Sequence, residues 1–423
     1  VGVIENIDKK HTILFVMPRL PFPASSGRKT SLYHYCRILT EELGYRLVVA
    51  AFLEDGDDPA LKPNFIDRLE VLPGASGKEK IKNILFDSVL KKKKPMQVSL
   101  FWNTRAKAII DQLVLEEQPD IVIGDMVRST DYIKDINALR IADLDDRISL
   151  RYQRQLDSDL DGINPYGTFI NTVPSFMQKV MLFKPIKSYV IKTEIALLKK
   201  YELEIGRVCD RTVFVATQEA QDFNQEIGTK KACAVPIGVD TDYFSYRETG
   251  NEGDVIGFLG AMSVAHNENA VRHFIEDIFP DILDKNPNTK FMIIGGGASE
   301  KLKKLSSEHV VFTGRVPDVR DYLTKCKVFV CPMTFGSGIK TKNLEAMSIG
   351  LPVVTTSIGA ENIDAKNNKE WIIADENKEF ADSVCQLLNH EEQRVKFGRN
   401  AAEFIRNNWT WEKAGVTFQD LFS

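Results

Sequence analysis

Cysteine is scarce in this chain of 423 residues, with six in all: Cys36, Cys209, Cys233, Cys326, Cys331 and Cys385. They form no cluster, and Cys326 and Cys331, five apart, are too isolated for a zinc site, so reduced and mostly buried thiols are expected. The six histidines show no metal-ligand spacing with one another and a carboxylate, so no metal is expected. No run approaches twenty apolar residues, which argues against a transmembrane helix. Val1 to Lys10 is charged and lacks the apolar core of a secretion signal, which makes a cytoplasmic protein the expectation. An excess of positive charge is missing too: 55 Lys and Arg face 59 Asp and Glu, a formal charge of −4, which gives no support to a generic nucleic-acid binder. No serine stands in a Gly-x-Ser-x-Gly elbow, and there is neither a phosphate-binding loop ending in Gly-Lys-Ser/Thr nor a dinucleotide glycine fingerprint. Solenoid repeats and low-complexity tails are also absent.

With 43% hydrophobic and 27% charged residues, the chain can bury substantial cores, and its length calls for two or three domains. Two α/β patterns run along it. The first opens with the apolar run Thr12 to Met17, then a loop holding Pro18, Pro21, Pro23 and Gly27, then a helix from Tyr33 to Leu43. Further strands are expected at Arg46 to Phe52, Ile121 to Gly124 and Ile141 to Asp143. The second pattern has strands at Val255 to Leu259, Phe291 to Ile294, His309 to Phe312, Val328 to Val330 and Val353 to Thr355, and Glu391 to Phe422 reads as terminal helices. A polar, glycine-rich stretch from Tyr243 to Asp254 suits a linker. The expected domains are therefore 1–245, 246–405, and 406–423 as a C-terminal helix packing back on the first. The β–α–β rhythm implies right-handed crossovers and ligand loops at the carboxyl ends of strands.

Residues 170–205 place Lys179, Lys184, Lys187, Lys192, Lys199 and Lys200 among apolar side chains. Such a surface suits either anionic lipid or acidic glycolipid, or an ordinary solvated helical face. Lys91 to Lys94 presents the same pair of readings: a lipid-facing patch or a solvated loop before Pro95.

The richest segment is 331–356. The β-branched run Val328 to Val330 leads into a loop with Gly336 and Gly338, and a helix of about eleven residues follows, stopped by Gly350. A helix N-terminus after such a loop favours an anion. Lys342 and Glu345, three apart, share a helical face: Lys342 can neutralise phosphate, Glu345 can accept from vicinal sugar hydroxyls, and Lys340 can assist. The alternative is a surface Lys–Glu pair worth about 0.2–0.5 kcal/mol. Gly295, Gly296 and Gly297 allow close approach of a nucleotide, or simply a tight turn. Asp125, Asp143, Asp145 and Asp146 stand at first-domain strand ends, where they would fix sugar hydroxyls or serve as ordinary acidic loop residues. Gly27 can admit an anion to the first helix, with Arg28 and Lys29 adding positive potential.

Arg19-Leu-Pro-Phe-Pro with Ser26-Gly27, Pro236-Ile-Gly-Val-Asp240 with Phe244, and Phe258-Leu-Gly-Ala-Met262 with Asn267 and Ala270 occur in that order. Gly314-Arg-Val-Pro-Asp-Val-Arg320, Gly338-Ile-x-x-Lys342 and Leu344-Glu-Ala-Met347 follow. Together they resemble the group 1 (family 4) glycosyltransferases, and in particular a subgroup of exopolysaccharide gene clusters. The resemblance spans nearly the whole chain. It implies a GT-B fold, two doubly wound Rossmann-like domains facing a central cleft, and retaining, metal-independent transfer of a sugar to a glycan or lipid-linked acceptor. The nucleotide-sugar would be the donor substrate, with no cofactor. A peripheral site at the inner face of an anionic membrane accompanies that expectation.

By position, the resemblance assigns Lys342 to the diphosphate and Glu345 to the ribose hydroxyls. It sets Gly336, Ser337 and Gly338 against the donor sugar and phosphates. Arg315 and Val316 would hold the base, Gly27 would sit near the donor phosphate, and Asp125 would approach the donor sugar as a catalytic residue beside Lys342. Two departures stand out. Ser337 occupies the place of a second glutamate that many members keep eight residues before Glu345. Ala261 and Met262 follow Gly260 where many members have an arginine, which shifts the phosphate burden to Lys342 or Lys340. The departures keep one alternative open, a catalytically inactive nucleotide-sugar or glycan-binding protein; the enzymatic alternative is a GT-B-type nucleotide-sugar epimerase or a sugar phosphorylase.

Overall fold

The computed structural model describes residues 11–24, 27–158, 170, 175–250, 252–336 and 338–422. Ser26 and Ser337, named above, lie outside the described residues. The chain divides into two compact units, Val1–Pro236 together with Ala414–Ser423, and Ile237–Lys413.

The first unit is built on a seven-stranded sheet of order β3-β2-β1-β4-β5-β6-β7, parallel throughout. Its strands are β1 (Thr12–Met17), β2 (Arg46–Ala51), β3 (Arg68–Val71), β4 (Ile121–Asp125), β5 (Leu139–Asp145), β6 (Arg211–Phe214) and β7 (Ala232–Ala234). All six residues of β1 are buried, as an apolar run needs when helices cover both sheet faces. Leu14, Val16, Val48, Ala50 and Val122 meet Ile110, Tyr132 and Ile133 on one side. Ala142, Leu144 and Phe214 meet Leu198, Tyr201, Ile205 and Phe223 on the other.

The sequence reading missed β3, β6 and β7. Each has four residues or fewer, and β3 mixes charge with apolar side chains at the sheet edge. The first helix starts at Gly27, six residues before its expected start, and runs as Gly27–Arg37 and Ile38–Glu42. Its opening turn is polar, with Lys29 buried and Arg28 and Thr30 half-buried, a pattern that hydrophobic periodicity does not detect. The last helix, Trp411–Phe422, extends into the segment assigned to this unit, where Phe418 packs edge-on to Tyr35 at 5.0 Å and Phe422 to Tyr45 at 5.4 Å. In the 175–208 stretch, Lys187 is buried while Lys179, Lys184, Lys192, Lys199 and Lys200 are exposed.

The second unit carries six parallel strands in the order β10-β9-β8-β11-β12-β13. They are β8 (Val255–Leu259), β9 (Lys290–Ile294), β10 (Val310–Gly314), β11 (Val328–Cys331), β12 (Val353–Thr355) and β13 (Ile372–Ile373). Five match the expectation. The sixth has only two residues, too few for any pattern. Helices Asn377–Asn389 and Glu391–Asn408 follow it. All six cysteines are free thiols and five of them are buried. No helix among the described residues is long and apolar enough to cross a membrane.

In each sheet the strand order reverses once, between β1 and β4 in the first and between β8 and β11 in the second. Loops leaving the carboxyl ends of those strands diverge to opposite faces and leave a crevice. The glycines after β9 are part of that geometry. Gly295 has φ +133°, and a Cβ there would stand 2.1 Å from the Gly260 carbonyl oxygen. Two backbones touch at this point, which is why position 295 takes glycine. Replacing Gly295 with alanine is expected to cost about 2–4 kcal/mol of stability through combined strain and overlap, measured by urea unfolding.

Candidate functional site

In the second unit, Gly260 ends β8 and the 332–340 loop leaves β11, so the reversal point lies between them. The Thr341–Ile349 helix follows that loop, with no side-chain cap at its N-terminus and Gly350 at its C-terminus in the left-handed region, φ +99°. Lys342, one residue into the helix, is buried and points back toward Gly260: a Cβ on Gly260 would lie 3.1 Å from its Nζ. Nζ donates to Asn267 Oδ1 and sits 4.4 Å from the centre of the Phe258 ring. Asn267 is itself oriented by donating 3.0 Å to the Ala261 carbonyl. Neither partner carries a full charge. Burial therefore pulls the Lys342 ammonium down to about 8.

Glu345 stands one turn on, partly buried. Among the described residues no hydrogen bond or ion pair reaches its carboxylate. Burial raises it to about 7, with Lys342 opposing. The expectation of a simple surface Lys–Glu pair therefore does not fit: both groups are withdrawn from water, and neither has a hydrogen-bonded counter-ion. Lys340 is also buried, but its Nζ donates to the Gly338 carbonyl at 2.6 Å and so braces the loop. Gly336 and Gly338 have φ +132° and +70°, and the Gly336 backbone runs beside His266.

Gly296 accepts from Met262 N–H at 2.8 Å, and a Cβ on Gly296 would meet the Arg315 backbone nitrogen at 3.4 Å. Exposed Arg315 and partly buried Val316 follow β10. The structure thus gathers Gly296, Gly336, Gly338, Lys340, Lys342 and Glu345 on the carboxyl side of the second sheet, with Arg315 at the neighbouring strand end. Phe258 and Asn267 share one of the motifs read from the sequence, but their contact with Lys342 was not legible there, because 75 residues separate Asn267 from the lysine.

Gly27 and Asp125 belong to the first unit. There the sequence reading needs correction on Arg28 and Lys29, which do not present open positive charge. Arg28 donates from Nε to Asp125 Oδ1 at 3.0 Å, from Nη2 to Asp143 Oδ2 at 2.7 Å and from Nη1 to Asp145 Oδ1 at 2.9 Å. Lys29 is bound to Asp57. Three carboxylates at adjacent strand ends draw the guanidinium inward and neutralise it. Asp125 is completely buried, and its Oδ2 has no hydrogen-bond partner. Burial raises the carboxyl groups of Asp125 and Asp143 despite Arg28. Met126 and Asp145, directly at these strand ends, hold φ of +56° and +67°, conformations that side chains other than glycine adopt at a cost. Among the described residues no group of three or more His, Cys, Asp or Glu is arranged to hold a metal ion.

Comparison with known proteins supplies a context. Residues 253–390 match the family model described as glycosyl transferases group 1. An uncharacterised 44.6 kDa protein of the cps region of Klebsiella pneumoniae is 24% identical, over 62% of this chain and 66% of its own length. A GDP-mannose-dependent alpha-(1-6)-phosphatidylinositol monomannoside mannosyltransferase of Mycobacterium tuberculosis is 25% identical, over 51% of this chain and 62% of its own. The crystal structure of HepE from Anabaena, in complex with UDP and glucose, superposes with a TM-score of 0.63 at 12% identity, covering 97% of this chain and 98% of that one.

The Arg28 cluster generates a prediction of its own. Arg28→Ala leaves three carboxylates facing one another in a buried site and is expected to destabilise the first unit by about 3–5 kcal/mol. Asp145→Asn, at the more exposed end, is expected to cost much less. Denaturant unfolding followed by circular dichroism distinguishes the two.

Proposed function

We propose that this chain, a glycosyltransferase of the group 1 type with the GT-B fold, moves a sugar from a nucleotide-sugar to a glycan or lipid-linked acceptor with retention at the anomeric carbon. The observation that carries the reading is the pairing of an uncompensated buried ammonium, Lys342, with an unbonded carboxylate, Glu345, beside the strand-order reversal of the second sheet. An ammonium held by an amide and a ring lacks an anion, and a donor diphosphate supplies one. A carboxylate free of partners accepts from two vicinal hydroxyls, as a ribose offers. The uncapped helix N-terminus adds backbone donors for phosphate.

In this reading, breaking the bond between the anomeric carbon and the diphosphate oxygen leaves positive charge on the sugar ring and negative charge on the departing phosphate. Lys342 and the helix N-terminus stabilise the latter more strongly in the transition state than in the ground state. The acceptor hydroxyl forms its bond to the anomeric carbon on the face the diphosphate leaves, and its proton passes to the leaving phosphate oxygen. No metal and no further cofactor takes part. Lys340 keeps the Gly336–Gly338 loop against the donor, with Ser337 on that loop, while Gly296, Arg315 and Val316 flank the nucleoside. Within the first unit, Asp125 acts as one group with Arg28, which already claims its Oδ1.

The test begins with donor binding by calorimetry across UDP-, GDP- and ADP-sugars. Lys342→Ala is expected to weaken the preferred donor about 10- to 100-fold, and Glu345→Ala about tenfold. Wild-type affinity in both folded variants would overturn the site. Retention is read by NMR from the anomeric configuration of donor and product, and chelation by EDTA is expected to leave the rate unchanged. A donor that binds but never transfers would instead point to a binding protein.

The pH dependence follows from the same two groups. Glu345 must be ionised, which holds above about 7, and Lys342 protonated, which holds below about 8. The ratio kcat/KM is therefore expected to peak between those values and fall on both sides. Stability runs the other way. Because the Glu345 carboxyl is raised, folding above pH 7 keeps a charge in an unfavourable place. Glu345→Gln is expected to raise Tm at pH 8, by about 2–4 °C for each kcal/mol relieved, while flattening the acid limb of the activity profile.

A further inference from the structure

Two helical stretches of the first unit turn apolar side chains outward. In Gly77–Asn83 and its continuation Ile84–Leu90, Ile81, Leu85 and Val89 recur every four residues, with Phe86 and Leu90 beside them. Phe86 is 46% exposed and Leu90 64%. Asn83, Ile84 and Ser88 turn inward: Asn83 donates to the Ser99 and Trp102 carbonyls at 3.2 and 2.9 Å, Ile84 packs on the small cluster of Met96, Leu100 and Ile170, and Ser88 makes a hydrogen bond with Ser99 at 2.9 Å. The start of the Lys184–Val208 helix, with the residues before it, repeats the arrangement: Leu182, Phe183, Ile186 and Tyr189 are exposed, Phe183 at 60%. Met181 and Val190 pack on the same cluster as Ile84. The two outward stripes therefore flank one sub-core and border the same region of the unit.

Charge around the stripes is one-sided. Residues 77–94 hold seven lysines against two carboxylates, and residues 178–193 hold four lysines and no carboxylate, in a chain whose formal charge is −4. Lys91, Lys92 and Lys93 are exposed, while Lys94 is drawn away by Asp131. Apolar stripes ringed by a local positive excess match the interface of a bilayer carrying anionic headgroups: the rings and aliphatic chains reach the acyl boundary, and the ammonium groups meet phosphate. A protein partner of the same charge would need its own apolar groove, and nothing in the pattern calls for one.

We propose that this surface, Ile81, Leu85, Phe86, Val89 and Leu90 with Phe183, Ile186 and Tyr189, seats the first unit on an anionic lipid surface. It belongs to the first unit, whereas Lys342 belongs to the second, and the binding test itself needs no donor. The whole chain is sedimented with sucrose-loaded vesicles of phosphatidylcholine alone or with about 30 mol% phosphatidylglycerol, at about 0.1 M salt. Binding is expected only to the anionic vesicles, with release as the salt is raised. Lys91→Glu/Lys92→Glu/Lys93→Glu is expected to weaken the partition about 100-fold or more, and Phe86→Ser/Leu90→Ser at least tenfold. All five positions are exposed, so both variants should keep wild-type circular dichroism and donor affinity. Equal binding to both vesicle types, no binding to either, or binding that the variants do not change would overturn the proposal. So would light scattering that shows the apolar stripes buried in a dimer that Phe86→Ser/Leu90→Ser dissociates.

Discussion

Parallel strands cannot be joined by tight turns, so every connection in both sheets crosses back over a face through a helix or long loop. That constraint makes the strands apolar along their whole length, because both faces are covered. It also sends the loops at all carboxyl ends to one edge. Where the strand order reverses, two neighbouring loops part, and polar side chains can enter without breaking the sheet. The Arg28 cluster and the Lys342–Glu345 pair stand at the carboxyl edge beside the two reversals.

The two places resolve the same physical problem in opposite ways. Burying charge is tolerable when the charge is paired and hydrogen-bonded. In the first unit it is: one guanidinium sits among three carboxylates, and the cost appears as raised acids, one unbonded oxygen and two left-handed backbone positions. In the second unit the account is left open. Lys342 has an amide and a ring, and among the described residues Glu345 has no hydrogen bond or ion pair, only the field of Lys342. Buried charges left without counter-ions lower the stability of the fold around them and leave both groups open to a ligand, which is the basis of the function proposed above. Gly260 is what makes the arrangement possible, since any side chain there would displace both Asn267 and Lys342.

Much of this was legible beforehand, and the failures share a cause. The long apolar strands, the helix stop at Gly350 and the placement of Lys342 and Glu345 on one helical face all follow from local pattern. The short edge strands β3, β7 and β13 did not, because two to four residues carry no period and their pairing comes from the neighbouring strand. Arg28 was misread for a related reason. Its partners lie about a hundred residues away, at 125, 143 and 145, so a basic residue at a helix start looked free when it was already claimed.

The sequence by itself determined the α/β alternation, a set of ordered motifs that resemble those of the group 1 glycosyltransferases, and the residue types at the ends of the strands. Each of these is encoded within a few dozen residues, through periodicity, glycine and helix-stop chemistry. Only the tertiary structure decided which charges are spent and which remain available, and which apolar side chains stay in water. Those outcomes depend on partners far apart in the chain and on burial, which local sequence does not contain. That is why Lys342 and Glu345 emerge as open groups, Arg28 and Lys29 as closed ones, and the stripe from Ile81 to Leu90 as a surface instead of a core.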